Sequence, residues 1–111
     1  MGNTCNCQGH STTCPDHTIA ICIDIDGICQ NECLYIPGRF GRPNDAFASW
    51  ARNTIIEHAY QVISRDSTVY FNRMEFDKQF TRNAFEFVRN GSQTIYFNNQ
   101  LTVKIHFSIN F

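Results

Sequence analysis

All six cysteines of this 111-residue chain, Cys5, Cys7, Cys14, Cys22, Cys29 and Cys33, fall within its first third, and nothing after Cys33 contains another. A chain of this length buries only a modest core, so a few covalent or metal staples at one end carry real weight in its stability. An even, clustered set reads as disulfides in an oxidising place and as thiols or metal ligands inside a cell. Oxidised cysteines would place the protein outside a cell or in a virion; a zinc site would place it in the cytoplasm.

The segment around the last three cysteines has a legible geometry. Ile19, Ile21, Ile23 and Ile25 alternate strictly before Asp26-Gly27, and a second extended run follows from Ile28 to Ile36. Asp-Gly between two such runs predicts a β-hairpin with a two-residue turn. That turn sets Ala20 opposite Cys33, Cys22 opposite Asn31 and Asp24 opposite Cys29, all on the face away from the isoleucines. Three cysteines then share one surface with no two directly opposed. Diagonal neighbours lie about 7 to 8 Å apart, whereas a disulfide needs Cβ atoms about 3.8 Å apart. Their partners are therefore Cys5, Cys7 and Cys14, either in the same chain or in a neighbouring subunit.

Residues 1–17 are rich in Asn, Thr, Ser and Gln without periodicity and read as a flexible arm; residues 18–111 read as a single α+β domain. Metal is the competing use of the same atoms. Cys5, Cys7 and Cys14 with His17 form a Cys3His set for structural zinc, Cys14-x2-His17 having finger-like spacing. Without it no cofactor is expected.

Beyond the Gly/Pro loop at residues 37–43, Asn44 or Asp45 caps a helix over residues 46–63, whose Phe47, Trp50, Ala51, Ile55, Ala59 and Val62 share one face. Period two then dominates in Thr68 to Phe76, Asn83 to Arg89, Gln93 to Phe97 and Leu101 to Phe111. Three-residue loops at Asn90-Gly91-Ser92 and Asn98-Asn99-Gln100 align Phe87 with Ile95, Phe97 with Leu101 and Ile95 with Val103. The predicted fold is α+β: an N-terminal β-hairpin, one amphipathic helix, then a four-stranded antiparallel meander packed on the helix.

Several short patterns bear on chemistry. Asp24-Ile-Asp26-Gly27 after an Ile-rich strand resembles the first motif of the haloacid dehalogenase-like phosphatases. That resemblance implies Asp24 as nucleophile and Asp26 as general acid beside magnesium. It covers about nine residues, Ile28 stands where the family has Thr or Val, and the chain is shorter than the family's doubly wound domain. Hairpin geometry is the reading kept for both aspartates. Met1-Gly2-Asn3-Thr4-Cys5 resembles the start of an N-myristoylation signal, with Asn6 where Ser or Thr is expected. Arg39 and Arg42 lead into the helix N-terminus with Arg52 two turns in, a set of donors for an anion. Glu57 and His58 with Lys104 and His106 offer an acid and a base, and a helix followed by a meander is similar to the fold of small microbial ribonuclease toxins.

Net charge is −1, so no basic field draws the chain to nucleic acid, and neither a membrane span nor a secretory signal is expected. The function ranked first is a non-enzymatic structural or assembly subunit of a virion, phage particle or surface filament, with self-association or other subunits as partners. A small zinc-stabilised binding module and a ribonuclease-like toxin domain follow.

Overall fold

The computed structural model describes residues 3–66, 72–97 and 101–111. Its elements are β1 (Asn3–Cys7), β2 (His10–Cys14), β3 (Thr18–Ile25), β4 (Ile28–Tyr35), α1 (Asp45–Asp66), α2 (Arg73–Asp77), α3 (Ala84–Asn90), β5 (Ser92–Phe97) and β6 (Leu101–Asn110). The class is α+β, with an N-terminal β-hairpin, one long helix and a four-stranded antiparallel sheet packed against helices.

That sheet runs β4-β3-β6-β5. The C-terminal strand lies beside the isoleucine strand, with Ile21 opposite Phe107, Ile23 opposite Ile105 and Ile25 opposite Val103. Each strand alone has one apolar row; side by side they make one continuous apolar surface, which the helices cover. Strand β3 is central and covered on both faces, so only Asp24 of its residues escapes burial.

Asn44 starts α1: its Oδ1 accepts from the Phe47 N–H at 2.8 Å and its carbonyl from Ala48 at 2.9 Å. The helix then buries Phe47, Ala51, Ile55, Ile56, Ala59, Val62 and Ile63 against the sheet. Trp50 is only partly buried and packs at the rim with Phe40 and Phe47.

The described part of one segment expected as a strand, and another such segment entire, are helical, so the sheet is completed by β3 and β4 instead. In the Thr68 to Phe76 segment, residues 68–71 lie outside the described residues and α2 begins at Arg73. Asn83 to Arg89 is α3 with its cap. In both, Asn caps the helix by accepting from the glutamate three residues on, Asn72 from the Glu75 N–H at 2.7 Å and Asn83 from the Glu86 N–H at 2.9 Å. Asn-x-x-Glu is an N-terminal helix signature, and here it outweighs strand-favouring aromatics. Gly91, at φ 69°, ends α3 in the left-handed conformation, so Asn90-Gly91 is a helix stop and the expected Phe87 to Ile95 pairing does not form. The register of Phe97 with Leu101 and Ile95 with Val103 holds, although loop residues 98–100 lie outside the described residues.

The N-terminal residues are the larger surprise. Residues 3–14 form a regular hairpin in place of an arm, pairing Asn3 with Cys14 and Cys7 with His10. Asn3, Cys5 and Cys7 are buried and Thr4 and Asn6 exposed, an alternation hidden by polar composition. Gln8 and Gly9 turn it with positive φ values of 52° and 81°.

Candidate functional site

The β1–β2 hairpin lies on the sheet face opposite the helices, and sulfur is its principal contact. Cys5 bonds Cys22, Cys7 bonds Cys29 and Cys14 bonds Cys33, with Cα separations of 5.9, 5.9 and 5.7 Å. Every cysteine of β3 and β4 thus pairs with one of the N-terminal three, all within one chain. Cys5, Cys7, Cys14, Ala20 and Cys22 form a second small core beneath the hairpin, with Cys29 and Cys33 at its margin. Polar ties complete the attachment. The Asn3 amide donates to the Thr18 and Ser108 carbonyls, and the Asn31 amide donates to Thr12 Oγ1 at 2.7 Å.

Cys5, Cys7 and Cys14 are each joined to another sulfur, and His17 sits apart at a positive φ of 61° between β2 and β3. The Cys3His set is therefore not assembled, and among the described residues no cluster of three or more His, Cys, Asp or Glu side chains is placed to hold a metal. No helix among the described residues is long and apolar enough to cross a membrane. Met1 and Gly2 of the myristoylation-like start lie outside the described residues.

The two aspartates hold the turn. Asp24 accepts from the Gly27 N–H and from Gln8 Nε2, both at 2.7 Å, tying the β3–β4 turn to the β1–β2 turn. Asp26 and Gly27 have φ of 49° and 87°, as a two-residue hairpin turn requires. Asp26 also accepts from the Thr102 N–H at 3.1 Å, so the turn reaches the start of β6. The strand after this motif is antiparallel and enters through a tight hairpin, unlike the strand and helix of a doubly wound phosphatase domain. Asp24→Asn keeps one acceptor oxygen for Gly27, so the expected loss is below about 1.5 kcal/mol, the worth of an ordinary hydrogen bond. Thermal melts check this. A drop several times larger, or loss of a magnesium-dependent phosphatase activity in the variant, would contradict a role in turn geometry.

The arginines separate. Arg39 and Arg42 are exposed in the loop, with the Arg39 guanidinium 4.7 Å from the Phe40 ring centre. Arg52 is buried: its Nε donates to the Thr81 carbonyl at 2.8 Å and its Nη1 to Asp77 Oδ1 at 2.9 Å. It clamps the end of α2 to α1, and its hydrogen bond holds the Asp77 carboxyl below its ordinary range. Its neighbours Ala51 and Ile55 on the apolar helix face were the sequence signal that Arg52 points inward.

The acid and base candidates also part. Glu57 and His58 are on α1, on the helix side of the sheet. Glu57 pairs with Arg73 Nε at 2.7 Å, which lowers its pKa, and His58 Nε2 meets Glu32 Oε2 at 3.0 Å. Burial lowers the His58 pKa, opposed by the Glu32 charge. Lys104 and His106 alternate with buried Val103, Ile105 and Phe107, so they face the hairpin side. There they line a polar hollow of about 260 Å³ with Asn6, Gln8 and Asp24. The sheet stands between the two pairs, and they cannot act on one bound group.

Two features were not legible beforehand. A groove of about 360 Å³ runs between α1 and edge strand β4, and large apolar side chains stand exposed on both edge strands: Ile28 and Tyr35 on β4, Tyr96 on β5. Comparison with models of protein families, with curated proteins and with solved structures finds no match.

Proposed function

We propose that this chain is a structural or assembly subunit, part of a virion, phage particle or surface filament, whose cysteine-rich N-terminal hairpin is secured to its own sheet. The observation that carries this reading is the pair of sheet edges bearing exposed apolar side chains, with Ile28 65 %, Tyr35 75 % and Tyr96 70 % accessible. An edge strand offers unpaired backbone donors and acceptors to another strand, and apolar side chains beside them favour a contact that removes both from water. Three of the candidate charged groups are engaged in holding elements together, Arg52 with Asp77, Glu57 with Arg73 and His58 with Glu32.

Because the six cysteines pair within the chain, association is expected to be non-covalent. Light scattering on the oxidised protein should give a mass above 12.8 kDa that rises with concentration, while electrophoresis without reductant gives one monomeric band. A protein that stays monomeric at every concentration would overturn the proposal.

A further inference from the structure

Strand β4 ends the sheet, and its ladder phase is readable. The Ile36 N–H donates to the His17 carbonyl at 3.0 Å, so that opposed pair is a hydrogen-bonded one. Bonded and non-bonded pairs alternate along an antiparallel ladder. Counting back through the observed register, Ile28, Gln30, Glu32 and Leu34 turn their backbone groups toward β3. Cys29, Asn31, Cys33 and Tyr35 turn theirs outward.

We propose that β4 pairs antiparallel with β4 of a second copy of this chain, about a two-fold axis at Asn31, joining the two sheets into one. The proposal rests on the assembly reading and names the surface through which assembly starts. With the axis normal to the sheet, opposed residues share a face, so the axis must pass through a residue position. An axis at Glu32 sets the two Glu32 carboxylates directly opposite each other, which is destabilising. An axis at Gln30 sets Ile28 against Glu32, and one at Cys33 sets Glu32 against Leu34. Only the axis at Asn31 matches chemistry throughout: Ile28 meets Leu34 of the other copy, and Gln30 meets Glu32.

Two further observations fit this register. Ile28, 65 % accessible, is brought beside Leu34 of the other copy, at the mouth of the groove that Leu34 forms with Asn53, Thr54 and His58 of α1. By symmetry each copy supplies one knob and one groove. Asn31 Oδ1 is shut off from solvent without a hydrogen-bond partner, the cost of which is about 1 to 3 kcal/mol. At the axis the other copy's Asn31 stands opposite on the same face, and its amide has a second N–H besides the one that Thr12 Oγ1 accepts, which is the donor the pairing offers to this oxygen. Asn31 also lies at an outward position of the ladder, so the central pair exchanges two backbone hydrogen bonds.

Sedimentation of the oxidised full chain tests this. The wild type should approach twice the 12.8 kDa chain mass. Ile28→Lys, at an exposed position, should weaken the dimer at least about tenfold because two apolar contacts are lost by symmetry. Gln30→Glu should weaken it about threefold to tenfold by facing Glu32, and Gln30→Lys should tighten it by a similar factor. Melting temperatures of the variants show that they remain folded. An oligomer indifferent to all three substitutions overturns the β4 pairing and leaves the assembly reading standing. A wild type that stays monomeric overturns both.

Discussion

Ile105→Asp should abolish cooperative folding. Ile105 has no solvent exposure and sits in β6 between Ile23 of β3 and Gln93 of β5, at the centre of the surface that α1 covers. The substitution removes about 1.5 to 3 kcal/mol of apolar burial and places a carboxyl inside the apolar core, where its charged form is costly. Changes of this kind exceed about 4 to 5 kcal/mol, comparable with the total stability of a small domain, roughly 5 to 15 kcal/mol. Ile105→Ala, at about 2 to 5 kcal/mol, provides the graded version should the aspartate variant fail to accumulate. The adjacent His106→Asp is the control: His106 is exposed on the opposite face and should change stability little. Equal melting temperatures for Ile105→Ala and the wild type would refute the assignment of that face to the core.

Opening the disulfides should have the next largest effect. The three bonds close loops between cysteines 17, 22 and 19 residues apart, and each alone is worth about 3 kcal/mol by the loop-closure argument. The loops overlap, so opening all three costs less than the sum. Replacing both members of one pair, Cys14→Ala with Cys33→Ala, should lower the melting temperature by on the order of 10 °C. Full reduction should do more and act locally first: residues 3–14 bury little but sulfur, so their amides should lose hydrogen-exchange protection while β3, β6 and α1 keep theirs. Cysteines that react with an alkylating agent in the native protein without reductant would show that the bonds are not formed. A reduced protein with an unchanged melt and a protected hairpin would show that they do not hold it.

What could be read from the residues was whatever depends on near neighbours. The Asp26-Gly27 turn set the cysteine register correctly, because a two-residue loop leaves one alignment and the isoleucine alternation tells which face is buried. The rule that diagonal cysteines cannot join sent Cys22, Cys29 and Cys33 to the N-terminal three, as observed. Asn44 and the apolar face of α1 were legible for the same local reason. The misreadings arose where two local signals competed. Phe85 and Phe87 suggested a strand, but the Asn83 cap and the Gly91 stop made a helix in which Phe87 is buried and Phe85 exposed.

The sequence by itself determined the class of each well-punctuated segment, the hairpin register and the division of the cysteines into two groups of three. Tertiary structure alone decided the rest. It placed β6 against β3, because two one-faced strands bury more apolar surface in one sheet than in two. It made a hairpin of residues 3–14, whose polar chain has too little apolar surface to offset its ordering entropy until three sulfur bonds and an existing sheet hold it. It chose Thr81 and Asp77 as the partners of Arg52, put Glu57 and His106 on opposite sides of the sheet and, among the described residues, left β4 at the edge of the sheet. Each of these depends on pairing between residues far apart in the chain, which local periodicity and turn chemistry do not encode.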